Sequence, residues 1–276
     1  MLQPNETQIS MDLAGLAIDV VTRSAAATKL CSSRYSAFLS SPDAPAREPD
    51  LTIDLTLGAN EAFAEFAEAS DLRVMNDSPG IFSFARADYF GTLDLASHRA
   101  QVTCTKRVYS LNSCVRVLCA VTLAREGGFL VHASSVERGG RAYLFVGRSG
   151  AGKTTIARLC TSGRVLSDEI SAVRRAGKRF HCFSTPFWGD LVPTREESVS
   201  APIAGLFFPV QAAQPKRVPL SPAQAATQLL ESIVVFGEDP STVAKVLDTS
   251  CAFARETESA LLHFRPDPSV WECIGA

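Results

Sequence analysis

One eight-residue segment constrains the fold of this chain more than any other part of its sequence. Glycines stand at positions 147 and 152, and Lys153 and Thr154 follow the second glycine directly. The apolar run at 143–146 predicts a strand before the segment, and residues 154–160 predict a helix after it. A strand that enters a glycine-rich loop and leaves it as a helix is typical of α/β domains.

The segment has the pattern of a phosphate-binding loop. Glycines let the backbone approach a polyphosphate closely and turn several N–H groups toward it. The Lys153 ammonium would reach the β- and γ-phosphates of a nucleoside triphosphate, and the Thr154 hydroxyl would complete a Mg²⁺ shell. A chance glycine-rich turn is the alternative, and the flanking strand and helix argue against it. The predicted nucleotide-binding residues are Gly147, Arg148, Ser149, Gly150, Ala151, Gly152, Lys153, Thr154 and Thr155.

An acidic pair, Asp168 and Glu169, follows a short predicted strand at 164–166. A phosphate loop needs a carboxylate that holds Mg²⁺ or orients the attacking group. Adjacent side chains point to different sides, so one could face the metal and the other an acceptor hydroxyl. We therefore predict Thr154, Asp168 and Glu169 as metal ligands, and both acids, with Lys153, as catalytic. An exposed acidic turn is the alternative.

A histidine and an aromatic segment are further candidates. His132 lies in a predicted strand at 129–136, and strand alternation turns it away from Val131 and Ala133. It is either an active-site residue or a structural histidine. The segment 183–190 could cover the site with Asp190 near the acceptor, or it could be a packed surface loop.

The rest of the sequence suggests a two-part organisation. Residues 1–108 are strand-rich, with predicted strands at 51–57, 89–93 and 101–104, and are a candidate for substrate or partner binding. Residues 109–276 would form the nucleotide-binding domain, beginning with a helix capped by Ser110. Later, Ser221 should cap a helix to about residue 234, a second helix should start at 239–240, and a strand should occupy 259–264. Residues 12–39 carry no clear pattern.

Composition excludes several classes of protein. A net charge of −2 favours neither nucleic acid nor an anionic membrane as partner. The chain contains no run of about 18 apolar residues and no signal peptide, so we expect a cytoplasmic protein. The 8 cysteines form no C-x-x-C pair, which indicates reduced, buried thiols rather than a zinc site.

Three segments together resemble the HPr serine kinase/phosphorylase group, whose nucleotide-binding fold is shared with phosphoenolpyruvate carboxykinase. They are residues 130–137, 146–154 and 165–169. The resemblance implies a P-loop α/β domain of that type, ATP with Mg²⁺ as cofactors, and phosphorylation of a serine on a protein or peptide. It matches Lys153 and Thr154 to the phosphate and metal positions, Asp168 and Glu169 to the acidic pair, and His132 to the active-site histidine. It also implies a homo-oligomer.

The chain departs from the bifunctional members of that group in two respects. Their glycine-rich second signature, which would begin near Gly189, is not visible, and residues 1–108 do not look like their N-terminal domain. Both departures argue against HPr as the acceptor and against the phosphorylase reaction. The chain looks closer to the HPr-kinase-like proteins found beside peptide-modification genes, including lasso-peptide kinases that phosphorylate a precursor peptide.

Three functions are consistent with these residues. The leading hypothesis is a serine kinase that transfers the γ-phosphate of ATP to a protein or peptide hydroxyl. The first alternative is a binding module that responds to nucleotide without transferring phosphate. The second is a small-molecule kinase, which a deep polar pocket would favour, whereas a shallow open groove would favour a peptide acceptor.

Overall fold

The computed structural model describes residues 5–275 except 42, 44, 46, 67–70, 79, 192–197 and 237–238. Contacts within the chain divide it into two compact units, which we call the N-terminal and C-terminal units. The first comprises Met1–Thr122 and Phe236–Pro240, and the second comprises Leu123–Val235 and Ser241–Ala276. The boundary between them lies inside one helix, Val108–Arg125, whose first residue is where the sequence-based boundary was drawn.

The N-terminal unit is built on a seven-stranded sheet in the order β1-β2-β3-β7-β6-β5-β4. Strand β3 pairs in parallel with β2 and β7, and the other pairs are antiparallel. The strands are β1 Thr7–Leu13, β2 Leu16–Thr22, β3 Leu51–Leu57, β4 Arg73–Ser78, β5 Ile81–Arg86, β6 Tyr89–Asp94 and β7 Arg99–Cys104. The helices are α1 Ala25–Arg34 and α2 Val108–Arg125, with short 3-10 helices at Ser36–Phe38 and Asn60–Phe66.

Alternation of apolar and polar residues explains the predicted strand at 51–57, which is confirmed as β3. Its residues Leu51, Ile53 and Leu55 are buried, and the intervening residues are more exposed. The unassigned stretch 12–39 contains β2 and α1. The Ser24 hydroxyl caps α1 by accepting from the Ala27 N–H at 3.3 Å.

The predicted cap at Ser110 is wrong. Helix α2 begins two residues earlier, and Ser110 lies buried within it. Its hydroxyl bonds instead to the Thr105 hydroxyl at 2.7 Å and to the Asp88 carboxylate. The helix ends at Arg125, and Gly127, with a φ of +71°, lies just beyond it.

The C-terminal unit is built on a nine-stranded sheet in the order β10-β8-β11-β12-β13-β16-β14, with β9 pairing with β8 and β13 and β15 pairing with β8. Its strands are β8 Gly128–Arg138, β9 Arg141–Val146, β10 Arg164–Ser167, β11 Ile170–Ala176, β12 Arg179–Phe183, β13 Ser200–Gln211, β14 Lys216–Pro219, β15 Ile233–Val234 and β16 Ser259–Phe264. Its helices are α3 Lys153–Arg158, α4 Pro222–Leu230, α5 Pro240–Glu256 and α6 Ser269–Ile274.

Alternate residues of β9 belong to two separate hydrophobic clusters. Leu144 and Val146 belong to a cluster with residues of α4 and α5. Tyr143 and Phe145 belong to another with residues of α3 and α6. The sheet therefore carries helices on both faces, which explains why β9 is an almost continuous apolar run. This mixed architecture with large sheets confirms the α/β part of the expected fold class.

In the second half of the sequence, the predicted length of the helix after Ser221 is wrong. Ser221 caps α4 as expected, with a capping box to Gln224 and proline at the first helical turn. The helix ends at Leu230 rather than near residue 234. Residues Ile233 and Val234 instead pair with β8 as β15.

Candidate phosphate-binding site

The glycine-rich loop lies between the end of β9 and the start of α3, as the sequence predicts. Its backbone turns through a hydrogen bond from the Ala151 N–H to the Arg148 carbonyl at 3.1 Å. The first helical bond of α3 runs from the Ile156 N–H to the Gly152 carbonyl at 3.0 Å. The Trp271 indole N–H donates to the Ile156 carbonyl at 3.1 Å, which ties the helix to α6.

Two glycines of the loop have left-handed backbone angles. Gly150 has a φ of +81° and Gly152 a φ of +97°. A Cβ atom on Gly152 would lie 2.3 Å from Cζ of Phe264, whereas a Cβ on Gly150 would meet no atom within 4 Å. Gly152 is thus required both by its backbone conformation and by close packing against β16.

The Lys153 side chain folds back over the loop. Its Nζ donates to the Gly147 carbonyl at 2.7 Å and to the Arg148 carbonyl at 3.1 Å. Partial burial lowers the pKa of this ammonium below its ordinary value. The cation is therefore held at the loop by neutral carbonyl groups.

The pairing of β8 explains why three distant segments meet at the loop. The last residue of β9, Val146, lies opposite Ala133, and the first residue of β11, Ile170, lies opposite His132. The Ala133 N–H donates to the carbonyl of Glu169 at 3.1 Å. The glycine-rich loop, the histidine and the acidic pair consequently lie at one edge of the sheet.

Asp168 is buried, with 5% of its surface exposed, and both of its carboxylate oxygens accept backbone bonds. The Gly189 N–H donates to Oδ1 at 2.8 Å, and the Leu191 N–H donates to Oδ2 at 2.8 Å. The segment is also fixed by the Ile170 N–H, which donates to the Phe187 carbonyl at 3.2 Å. Asp168 therefore anchors the chain that follows β12.

Glu169 lies in a different environment from its neighbour. Its side chain is exposed at the cavity, and its Oε2 lies 3.3 Å from the position that a Cβ on Gly189 would occupy. Within the described residues, its carboxylate has neither a hydrogen bond nor an ion pair. Glu169 is thus the more exposed of the two acids, and both line the cavity.

Eight of the first nine residues of β8 are buried, and the remaining one, His132, is exposed. Val131 and Ala133 are both 0% exposed, so the predicted alternation is confirmed. The histidine lines the same cavity as Lys153 and Glu169. Its backbone N–H donates to the Ser232 carbonyl at 2.8 Å, which brings the end of α4 to the site.

The segment at 183–190 divides between the core and the cavity. Phe187 is buried, and the Thr185 hydroxyl donates to the Ile170 carbonyl at 2.5 Å. Gly189 and Asp190 line the cavity, and the Asp190 carboxylate lies 3.7 Å from Arg158. The segment is thus a packed loop whose last two residues reach the site.

A single cavity of about 1240 Å³ contains every residue that the sequence predicts for the site. It is larger than the ~300–1,000 Å³ usual for small-molecule sites. Its charged lining residues are the cations Arg148 and Lys153 and the carboxylates of Asp168, Glu169, Asp190 and Glu231. The excess of carboxylates suits a ligand that brings a cation with it.

Some lining residues were not identified from the sequence. They are Gln228, Glu231 and Ser232 around the end of α4, and Phe208, Pro209, Val210 and Gln211 at the end of β13. Gln211 donates to the Gly150 carbonyl at 3.2 Å and so supports the loop. The parallel pairing of β13 with β9 places its end beside the loop, and no local motif signals that pairing.

Two further expectations concern metals and membranes. Across the described residues, His, Cys, Asp and Glu side chains do not gather in threes to form a metal site. All 8 cysteines are unpaired thiols, and five of them are buried. No helix in the described ranges is long and apolar enough to cross a membrane.

The fold and site define a mixed α/β protein whose larger sheet carries a glycine-rich loop facing an acidic pair and a histidine. Residues 99–255 match the family described as SynChlorMet cassette protein ScmC. Because the match covers more than half of the chain, the protein belongs to this family.

Other similarities are weak. The solved structure of the Hpr(Ser) kinase/phosphatase from Coxiella burnetii is similar over 45% of this chain and 87% of that chain, at 10% identity. Its TM-score of 0.25 is too low to support a functional argument. No curated protein is similar enough to match.

Proposed function

We propose that this protein is an ATP-dependent serine kinase that transfers the γ-phosphate of ATP to a hydroxyl of a protein or peptide. One observation carries the proposal. The glycine-rich loop with Lys153, the exposed Glu169 carboxylate and His132 line one continuous cavity. Phosphoryl transfer needs a phosphate-binding loop close to a group that orients or deprotonates the acceptor, because catalysis rests on positioning and on charge stabilisation.

The loop would bind the triphosphate. Backbone N–H groups in the loop and in the first turn of α3 have the character that polyphosphate binding needs. Lys153 already lies over the loop, bonded to the carbonyls of Gly147 and Arg148. Phosphate oxygens would replace these neutral acceptors, and the anionic partner would raise the pKa of Lys153 again.

The residues present fit a magnesium ion that arrives with the nucleotide. Hard oxygen ligands suit Mg²⁺, and the Thr154 hydroxyl lines the cavity beside the loop. When bound, the ion would neutralise charge that develops on the transferring group.

Glu169 and His132 would act on the acceptor. An exposed carboxylate can accept the hydroxyl proton or orient the hydroxyl for attack in line with the γ-phosphate. Asp168 is engaged at both oxygens by backbone N–H groups, so we assign it to holding the 187–191 segment. His132 lies where it can bond either to the acceptor or to phosphate.

A polypeptide acceptor is the favoured substrate class. A cavity of about 1240 Å³ has room for more than a nucleotide, and it opens beside the exposed side chains of Glu169, Asp190 and Glu231.

Separate measurements of binding and of transfer test the proposal. Nucleotide affinity and transfer of γ-labelled phosphate to serine peptides would be compared for wild type, Glu169→Gln and the control Glu272→Gln, an exposed glutamate of α6. We expect Glu169→Gln to bind ATP but to transfer at least ~10²-fold more slowly. Nucleotide binding with no transfer by wild type to any acceptor would instead favour the nucleotide-dependent binding module.

A further inference from the structure

Among the residues that the structure describes, the sheet of the N-terminal unit has one edge that no further strand pairs with. At its β1 edge, the Ser40 N–H donates to the Ser10 carbonyl at 2.9 Å, and Leu39 forms a bridge with Met11. At its other edge, β4 pairs with β5 alone among the described strands. An edge strand in this state presents a row of backbone donors and acceptors that another strand can pair with.

The side chains of β4 are exposed along almost the whole strand. Of its six residues, only Val74 is partly buried, and Met75 has 52% of its surface exposed. The Ser83 hydroxyl donates to Oδ1 of Asp77 at 3.0 Å, and Ser83 is also the cross-strand partner of Met75. Met75 and Asp77 therefore share one face of the sheet, and strand alternation places Arg73 on that face too.

The order of these three residues is self-complementary. We propose that β4 pairs antiparallel with β4 of a second copy of this chain, about a twofold axis at Met75. In that register Arg73 lies opposite the partner subunit's Asp77, and Asp77 lies opposite the partner subunit's Arg73. Two symmetry-related pairs of opposite charge then flank an apolar methionine pair.

Other arrangements of the same two strands lack this match. A parallel, in-register pairing places Arg73 against Arg73 and Asp77 against Asp77, which repels. An antiparallel shift by two residues removes both charge pairs from direct opposition. Since like charges directly opposite destabilise a strand pair, the twofold register at Met75 is selected.

The resulting interface is short. The register between β4 and β5 shifts between Asn76 and Ser78, so the irregularity lies at Asp77, the last residue that the proposed register uses. Such a bulge limits regular pairing to a few residues. A short interface with exposed charge pairs gives a reversible dimer whose association weakens as the salt concentration rises.

Charge exchange provides the test. Sedimentation velocity over a concentration series would compare wild type, Arg73→Asp, Asp77→Arg, the double variant and an equimolar mixture of the two single variants. Each single variant places like charges opposite each other twice, so its association should weaken by about tenfold or more. The double variant restores both pairs, and the mixture restores them in a heterodimer, so both should associate like wild type.

The mixture separates the interface from any folding defect, because unfolded single variants could not recover by being combined. Met75→Lys, which places two ammonium groups at the axis, should also weaken the dimer. A wild-type protein that stays monomeric, or single variants that dimerise as well as wild type, would overturn the proposal. Hydrogen exchange of the β4 amides that slows only when a peptide is added would also overturn the proposal. The β4 edge would then bind a different partner. None of these readouts depends on kinase activity.

Discussion

Gly152→Ala is the substitution for which the loop geometry gives the clearest magnitude. The residue has a φ of +97°, which costs an alanine about 1–2 kcal/mol. The new Cβ would lie 2.3 Å from Cζ of Phe264, and relief of such overpacking costs about a further 1–3 kcal/mol. We expect a loss of about 2–5 kcal/mol in the free energy of unfolding of the C-terminal unit.

Gly150→Ala is the matched control. Its φ of +81° carries the same backbone cost, but a Cβ there would meet nothing within 4 Å. We expect only about 1–2 kcal/mol of destabilisation at this position. Comparison of the two variants isolates the contact with Phe264.

Urea unfolding followed by tryptophan fluorescence measures both variants. The 2 tryptophans, Trp188 and Trp271, both lie in the C-terminal unit, so the signal reports the unit that contains the loop. The midpoint should fall much further for Gly152→Ala than for Gly150→Ala at an unchanged slope. Equal losses for the two variants would refute the reasoning, because the Phe264 contact would then contribute nothing.

Three more predictions concern single side chains. Asp168→Asn weakens a charged acceptor of two backbone hydrogen bonds and should lower the free energy of unfolding in urea by about 1–3 kcal/mol. Glu169→Gln should change the free energy of unfolding by less than about 0.5 kcal/mol. A larger loss for Glu169→Gln than for Asp168→Asn would contradict the assigned roles. Burial raises the pKa of the Cys182 thiol to about 12. A thiol reagent at neutral pH should therefore label Cys182 far more slowly in the native protein than in urea. Rapid labelling of Cys182 in the native protein would argue against its buried position in the fold. Burial lowers the pKa of the Lys153 ammonium in the folded protein, so with rising pH the folded protein loses the ammonium proton before the unfolded chain does. The free energy of unfolding should therefore rise with pH between the lowered pKa and 10.5. If a Lys153→Ala variant shows the same rise in pH-dependent unfolding, Lys153 is excluded as its source.

Local sequence signals were sufficient for the elements around the loop. The apolar run of β9, the glycines of the loop and the helix after it are consecutive in the sequence, so their order alone predicts the arrangement. The strands at 51–57 and 259–264 have the predicted bounds because alternation or a short apolar run marks them clearly. The alternation of β8 likewise predicted that His132 faces away from Val131 and Ala133.

Long-range pairing determined what the sequence could not predict. Asp168 and Glu169 are adjacent and chemically similar, and only the backbone of Gly189 and Leu191, more than twenty residues later, makes one an anchor and leaves the other exposed. The two residues of β15 are a strand only because β8 pairs with them, so helix periodicity was extended through them wrongly. Ser110 resembles a cap locally, but its hydroxyl is bonded to Thr105 and Asp88.

The most direct test of the proposed kinase is transfer of γ-labelled phosphate from ATP to cell-extract proteins and serine-bearing peptides. Wild type would be compared with Lys153→Ala, whose folding is checked by tryptophan fluorescence. We predict label on serine with wild type and a loss of at least ~10²-fold in the variant, because the Lys153 cation would stabilise charge in the transition state. Transfer by Lys153→Ala at the wild-type rate would contradict the assignment of the loop.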